Sequence, residues 1–327
     1  MAIPFDEYVR AVGSPLTSNM LAPLGQGCRV VQFSSAMSDR DYATLAEWLA
    51  DYPQVTLRAY GGYDRPITNL EFLRFFPKLR AFQADSLYRD LENIDGLGFL
   101  PEDAFEVGLG ATRKRLSLAP LRRFDRLPRL YLEGLTKDIE VISTLTCLTS
   151  LTLRSITLPN LAILTPLHRL RALDLKRGGT SNLDLLPQIG ELQYLELWQV
   201  RGLDDIGPIA HVGTLQHLFM QALRRVTGLP SFAACTRLRH VHLETMKGLT
   251  DLSPLLTAEA LTDLAVVDMG HLKSSDVTIL QAHPALRRLS VGLGSMRKNN
   301  EVKNNAAASP DLLPQQARPR NCCAASC

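Results

Sequence analysis

Three histidines and two carboxylates are the side chains of this sequence with the clearest capacity for chemistry. His217, His240 and His242 lie in one stretch with Glu196 and Glu244. Imidazole nitrogens and carboxylate oxygens are zinc ligands. A metal-binding enzyme built on His217, His240 and His242 is therefore one reading. The spacing matches no metal motif such as His-Glu-x-x-His, which places two imidazoles on one helical face. Other catalytic signals are weaker. There is no phosphate-binding Walker loop and no Gly-x-Ser-x-Gly elbow. GLGATRKR at 108–115 contains Gly-x-Gly but opens no dinucleotide-binding helix, so it reads as a turn. No cofactor, no resident metal and no catalytic residue is expected.

The cysteines point to a reducing compartment. Cys147 and Cys235 sit in leucine-rich segments, TLTCLTSL and FAACTRLRHV, where a thiol acts as a small apolar group. Cys322, Cys323 and Cys327 crowd the C-terminus, where a thiol-based metal or redox tail is the functional alternative. Cys323 stands one place too early for a prenylation box. The N-terminal MAIPFDEYVRAVG carries Asp6 and Glu7 and lacks an apolar signal core, and no apolar run reaches membrane-spanning length. A cytoplasmic protein without membrane contact is expected.

Charge excludes another class. The 327 residues hold 36 Lys and Arg against 33 Asp and Glu, a net +3. Arg297, Lys298, Lys303, Arg318 and Arg320 face only Glu301 and Asp311 beyond residue 294, so the whole excess lies in the tail. A neutral body gives no broad basic footprint, and nucleic acid is not an expected partner.

The elements that position these residues come from leucine, which supplies 58 of the 327 residues. PRLYLEG, TSLTLRS, RALDLKR, QYLELWQ, QHLFMQA, RHVHLET, TDLAVVD and RRLSVGL align on Leu-x-x-Leu-x-Leu. Their anchors are Leu130, Leu151, Leu173, Leu195, Leu218, Val241, Leu264 and Leu289, 21 to 25 residues apart. Val107, Phe82 and Leu57 continue the series upstream, and Val31 opens it. Leu-x-Leu alternation is a strand of period two with its leucines on one face. About ten residues on comes a turn signal and a second apolar cluster, as in DDIGPI at 204–209 and DLSPLL at 251–256. Asp caps the turn and Pro fits its first helical position. Most connections are too short for a full helix, so 3₁₀ turns are expected. SDRDYATLAEWLA, from Ser38 to Ala50, is the exception and reads as a capped amphipathic helix.

One such unit cannot bury its own leucines, but stacked units can. The expected fold is α/β: a parallel sheet along the concave face of a solenoid, with short helices or 3₁₀ turns on the convex face. LYLEGLTKDIEVISTLTCLTSLTL and its successors resemble leucine-rich repeats of the short type found in internalins and in the repeat regulator of protein phosphatase 1. The resemblance covers about 28–293 and implies a horseshoe of about 11–12 units that binds proteins. Residues 1–27 are expected to cap the first unit through Phe5, Tyr8, Val9, Leu21 and Leu24. Residues 294–327 are expected to be a disordered tail, in place of the short apolar helix that related bacterial proteins carry there.

Side chains between and beside the leucines face the concave side. Relative to each anchor they occupy positions −1, +1 and +3. The expected partner site comprises Tyr131, Glu133, Arg154, Asp174, Lys176, Tyr194, Glu196, Trp198, Phe219, His240, His242 and Glu244. Tyr131, Tyr194, Trp198 and Phe219 are large rings with no predicted core to fill, and such rings are common binding hot spots. Lys176 is expected to stack on Trp198, and Glu133 to form a solvated pair with Arg154. The sequence therefore describes a monomeric, non-catalytic scaffold for an unidentified protein, serving as an adaptor or as an immunity-type neutralising partner.

Overall fold

A computed structural model describes residues 5–61, 64–307 and 313–314. The chain divides after Leu151 into two compact units, and the two are treated separately. Unit 1 carries strands β1 (Val9–Ala11), β2 (Val30–Phe33), β3 (Thr56–Tyr60), β4 (Ala81–Asp85), β5 (Glu106–Leu109) and β6 (Arg129–Glu133). The division falls within β7 (Ser150–Arg154). Unit 2 carries β8 (Ala172–Lys176), β9 (Tyr194–Trp198), β10 (His217–Gln221), β11 (His240–Glu244), β12 (Asp263–Val267) and β13 (Arg288–Val291). Within each unit the strands pair in parallel, each with its neighbours in the sequence.

Every anchor from Val31 to Leu289 is the second residue of its strand, and none is more than 8% exposed. Equal phase at every strand puts equal positions side by side, as in Leu195 beside Leu218 and Leu218 beside Val241. Burying a leucine stabilises by about 2 kcal/mol, so the register is held by each core residue in turn. The cores differ between the units. Unit 1 packs rings, with Phe33, Tyr42, Phe72 and Phe82 in edge and stacked contacts 5.2–6.0 Å apart. The core of unit 2 is mostly leucine, isoleucine and valine, with Phe232 as its one fully buried ring.

The connections are the expected short ones. Gly207–His211 and Ser253–Thr257 form 3₁₀ turns with Pro208 and Pro254 near their starts. Asp205 accepts from the Gly207 N–H at 2.7 Å, and Asp251 from the Ser253 N–H at 2.8 Å. Asn160 and Asn182 repeat the device. Helix α1 spans Phe5–Tyr8 and α2 spans Asp39–Leu49; Ser38 caps α2 by accepting from the Asp41 N–H.

Both predicted ends need correction. The ladder begins inside 1–27, because β1 pairs with β2 in the same parallel register (Val9 beside Val30). VRA is too short and too polar to show the repeat pattern. Leu21 and Leu24 are half-buried, and the side chain of Phe5 lies outside the described residues. The predicted disordered tail starts instead as a helix. After α3 (Ser274–Thr278), α4 spans Met296–Ala307 and packs on it. Val302 is 1% exposed, and Lys298 Nζ donates to the carbonyls of Gly270 and Leu272, both at 2.8 Å. Polar side chains that read as disorder in sequence here satisfy open backbone groups. Leu313–Pro314 pairs with β13. The rest of the predicted tail, with Cys322, Cys323 and Cys327, lies outside the described residues.

A further regularity was hidden from the sequence. The residue four past the anchor is left-handed at Ser86, Gly134, Ser155, Arg177, Gln199, Ala222, Thr245 and Asp268, with φ from 51° to 68°. From Ser155 to Thr245 its N–H donates to the strand-end carbonyl of the next repeat, as Arg177 does to Trp198 at 2.7 Å and Gln199 to Gln221 at 2.9 Å. The ladder imposes a conformation that costs a non-glycine residue about 1–2 kcal/mol. Ser, Arg, Gln, Ala, Thr and Asp all accept it, so no residue type marks the turn.

Candidate functional site

One face of each strand ladder covers the core, and the other, bearing positions −1, +1 and +3, is open. In unit 2 this open face brings most of the predicted residues together. Arg154 lies at the end of β7, with its guanidinium 5.8 Å from the Trp198 ring. Asp174 and Lys176 stand on β8, and Tyr194, Glu196 and Trp198 on β9. Lys176 Nζ bridges Asp174 at 3.5 Å and Glu196 at 3.3 Å. The Tyr194 hydroxyl donates to Glu196 at 2.9 Å, and Thr152 donates to Asp174 at 2.7 Å. Thus Arg154, and not the expected Lys176, occupies the cation position over Trp198. Two neighbouring carboxylates hold Lys176 more strongly than an indole face does.

Burial tunes this cluster. Desolvation pushes the Asp174 carboxyl above its usual range; Lys176 opposes the shift and Glu196 adds to it. Polar atoms of the cluster are also unmatched. Asp174 Oδ1 and Trp198 Nε1 are buried without a hydrogen-bond partner among the described residues. Such atoms cost about 1–3 kcal/mol each.

The next strands carry rings. His217 stacks on His240, with centroids 4.3 Å apart and planes 9° apart. Phe219 lies 4.7 Å from His242. His242 Nε2 meets Glu244 at 2.9 Å, and Gln221 donates to Glu244 at 2.7 Å. His240 reaches Asp263 at 3.3 Å, and Asp263 also pairs with Arg288. Burial first, then the neighbouring His240, hold the His217 pKa below its ordinary value.

These contacts revise one expectation and bear on the metal alternative. Phe219 is only 4% exposed, so it is not an open hot spot. Rings on adjacent strands lie close enough to cover one another, and Phe219 sits between its neighbours. The histidines do not converge on one point. His217 and His240 present ring faces to each other, and His242 turns to Glu244. Among the described residues no group of three His, Cys, Asp or Glu side chains is placed to hold a metal.

Tyr131 and Glu133 fall in unit 1, where the Tyr131 hydroxyl donates to Glu133 at 3.1 Å. Unit 1 also holds a polar network that was not singled out from sequence. Arg58 grips Asp85 through two nitrogens at 2.9–3.0 Å and donates to Gln32 at 2.9 Å. Both charged side chains of that pair are 12% exposed. Glu106 accepts from Gln83 at 2.8 Å, from Thr56 at 3.4 Å and from Arg129 at 2.8 Å. Gly108 makes this possible: a Cβ there would stand 2.8 Å from Gln83 Cγ. The signal was present in the columns upstream of Leu130, where Gln32, Arg58 and Gln83 hold position +1.

No protein-family model matches the sequence. No curated protein matches it significantly. Among solved structures the chain is similar to an internalin of Listeria monocytogenes, with a TM-score of 0.58 and 17% identity over 95% of this chain and 86% of that one. A leucine-rich-repeat protein of Leptospira interrogans is similar at 14% identity over 88% of this chain and 90% of that one, with a TM-score of 0.49. With the register of both units, the internalin likeness shows the fold: a leucine-rich-repeat solenoid of parallel strands, short helices and 3₁₀ turns.

Proposed function

We propose that the chain is a non-catalytic scaffold that binds a protein partner on the open face of unit 2, as an adaptor or as an immunity-type neutralising protein. One observation carries the reading. Trp198 stands half-buried on a paired strand beside Arg154, and its indole N–H and Asp174 Oδ1 lack hydrogen-bond partners among the described residues. A scaffold needing only stability has no reason to keep both. Side-chain shifts of Arg154 and Lys176, of the kind common at interfaces, open these two atoms to a partner's donor and acceptor. Tyr194, His240, His242 and Glu244 extend the surface, with Phe219 as packing beneath it.

A cytoplasmic, bacterial, monomeric protein is part of this proposal. The buried free thiols of Cys28 and Cys235 support the compartment. No helix among the described residues is long and apolar enough to cross a membrane. The test is side-by-side affinity capture with wild type, Trp198→Ala, Tyr194→Ala and the exposed control Glu191→Ala. The two ring variants, folded by circular dichroism, are expected to lose at least about tenfold in partner recovery, each ring anchor being worth about 2 kcal/mol. Equal recovery by all four proteins refutes the assignment.

A further inference from the structure

Unit 1 contains a cavity of ≈ 590 Å³ on its open face, and none of its lining residues belongs to the site proposed above. That volume lies within the usual range for ligand sites. Half-buried Arg58, Gln83 and Phe105 line it together with Arg129, and the exposed Arg29 and Gln54 stand at its rim. Three guanidiniums therefore line it, against the single carboxylate of Glu106; Asp85, gripping Arg58, is the second acid nearby.

The hydrogen bonds show which charge is left over. Glu106 is already engaged on both oxygens, one taking Gln83 and Thr56 and the other taking Arg129. Arg58 is held on three nitrogens by Asp85 and Gln32. Arg29 differs: one nitrogen donates to the carbonyls of Gln26 and Cys28 at 2.7 and 2.9 Å, and no carboxylate pairs with it among the described residues. Arg129 has one nitrogen on Glu106 and lies 4.8 Å from the Phe105 ring, its side chain still 49% exposed. The cavity thus offers spare N–H donors and cationic charge from two guanidiniums, while its one lining carboxylate is already paired with Arg129.

We infer that this cavity binds a carboxylate-bearing acidic peptide segment, with Arg29 and Arg129 as the groups that pair with its carboxylates. Guanidinium forks match carboxylates in a bidentate geometry. Ring contact with Phe105 fixes one fork, and two carbonyl bonds fix the other, so little side-chain entropy is lost on binding. The site does not depend on the face of unit 2: either can fail alone.

The test is fluorescence anisotropy with a labelled hexaglutamate peptide blocked at both ends, using a blocked hexaglutamine peptide as control. Wild type is expected to bind hexaglutamate at least about tenfold more tightly than hexaglutamine, and to weaken as salt is raised. Arg29→Gln and Gln54→Glu alter exposed rim positions without breaking an ion pair. Each is expected to reduce hexaglutamate affinity by about three- to tenfold, and Arg129→Gln by about tenfold or more. Trp198→Ala, in unit 2, is expected to bind as wild type. Equal binding of both peptides, no binding by wild type, or unchanged affinity in Arg29→Gln and Gln54→Glu overturns the inference.

Discussion

The open faces of the two units use one strand ladder in opposite ways. On unit 1 the polar side chains complete one another: Arg58 with Asp85 and Gln32, and Glu106 with Thr56, Gln83 and Arg129. On unit 2 the same positions carry rings and carboxylates, and Asp174 Oδ1 and Trp198 Nε1 stay unmatched among the described residues. A saturated network stabilises the fold, and what it leaves for binding is the charge at its rim. An unsaturated one gives up stability, and the loss is recovered only when another molecule completes it. A fold repeated at every strand can therefore divide support and recognition between its two units.

The largest expected effect breaks the saturated side. Arg58→Met leaves Asp85 buried without its cation, and burial already pushes that carboxyl above its usual range. Urea denaturation is expected to show a loss of about 3–5 kcal/mol. A loss below about 1 kcal/mol would make the pair ornamental and erase the contrast between the units.

The left-handed turns give a smaller effect in each unit. Gly134→Ala places a side chain at φ 68° and brings its Cβ to 3.2 Å from the Ala111 Cβ. A loss of about 1–2 kcal/mol is expected. Gln199→Gly, at φ 51° in unit 2, runs the other way and is expected to raise thermal stability by a few tenths to about 1 kcal/mol. Opposite signs at equivalent positions would show that the ladder, and not the residue, fixes the turn.

The unsaturated side yields a still smaller change. Trp198→Phe removes the unmatched indole N–H and some buried area together. Stability is expected to move by less than about 1 kcal/mol, while partner capture falls. A large loss of stability here would place Trp198 with the supporting residues.

The smallest effect is one of pH. His217 has a lowered pKa, so folding disfavours its protonated form. Its contribution is complete above the ordinary histidine pKa of about 6.5 and is lost as pH falls through the lowered folded value. Denaturation midpoints should therefore drop on acidification below about pH 6.5, and less steeply in His217→Gln. Identical slopes would mean that His217 does not contribute to the pH dependence of folding.

Strand register was legible in the sequence because the anchor leucines report burial directly. Val31 fell on a strand as the series predicts, although β1 precedes it, and Asp251 and Pro254 announced their turn. Strand β1 was not legible, since three residues are too few to show a period. Helix α4 was missed because its polar residues act on backbone carbonyls of an earlier repeat, a contact with no local signature. The left-handed turns were invisible because no glycine pattern marks them. For the site, the columns named the right face, but burial along a column depends on neighbouring strands. Phe219 disappears beneath that packing, and Arg154 reaches Trp198 because Asp174 on the same strand and Glu196 on the next draw Lys176 away.

Where the partner touches the protein can be read most directly by photo-crosslinking the captured complex. A benzophenone amino acid at Gln221, on the open face of unit 2, is compared with the same group at Glu191, an exposed position outside the strands. Crosslinked partner from position 221 and none from position 191 is the predicted result. Crosslinks from 191 with none from 221 would contradict the assignment of the open face as the binding surface.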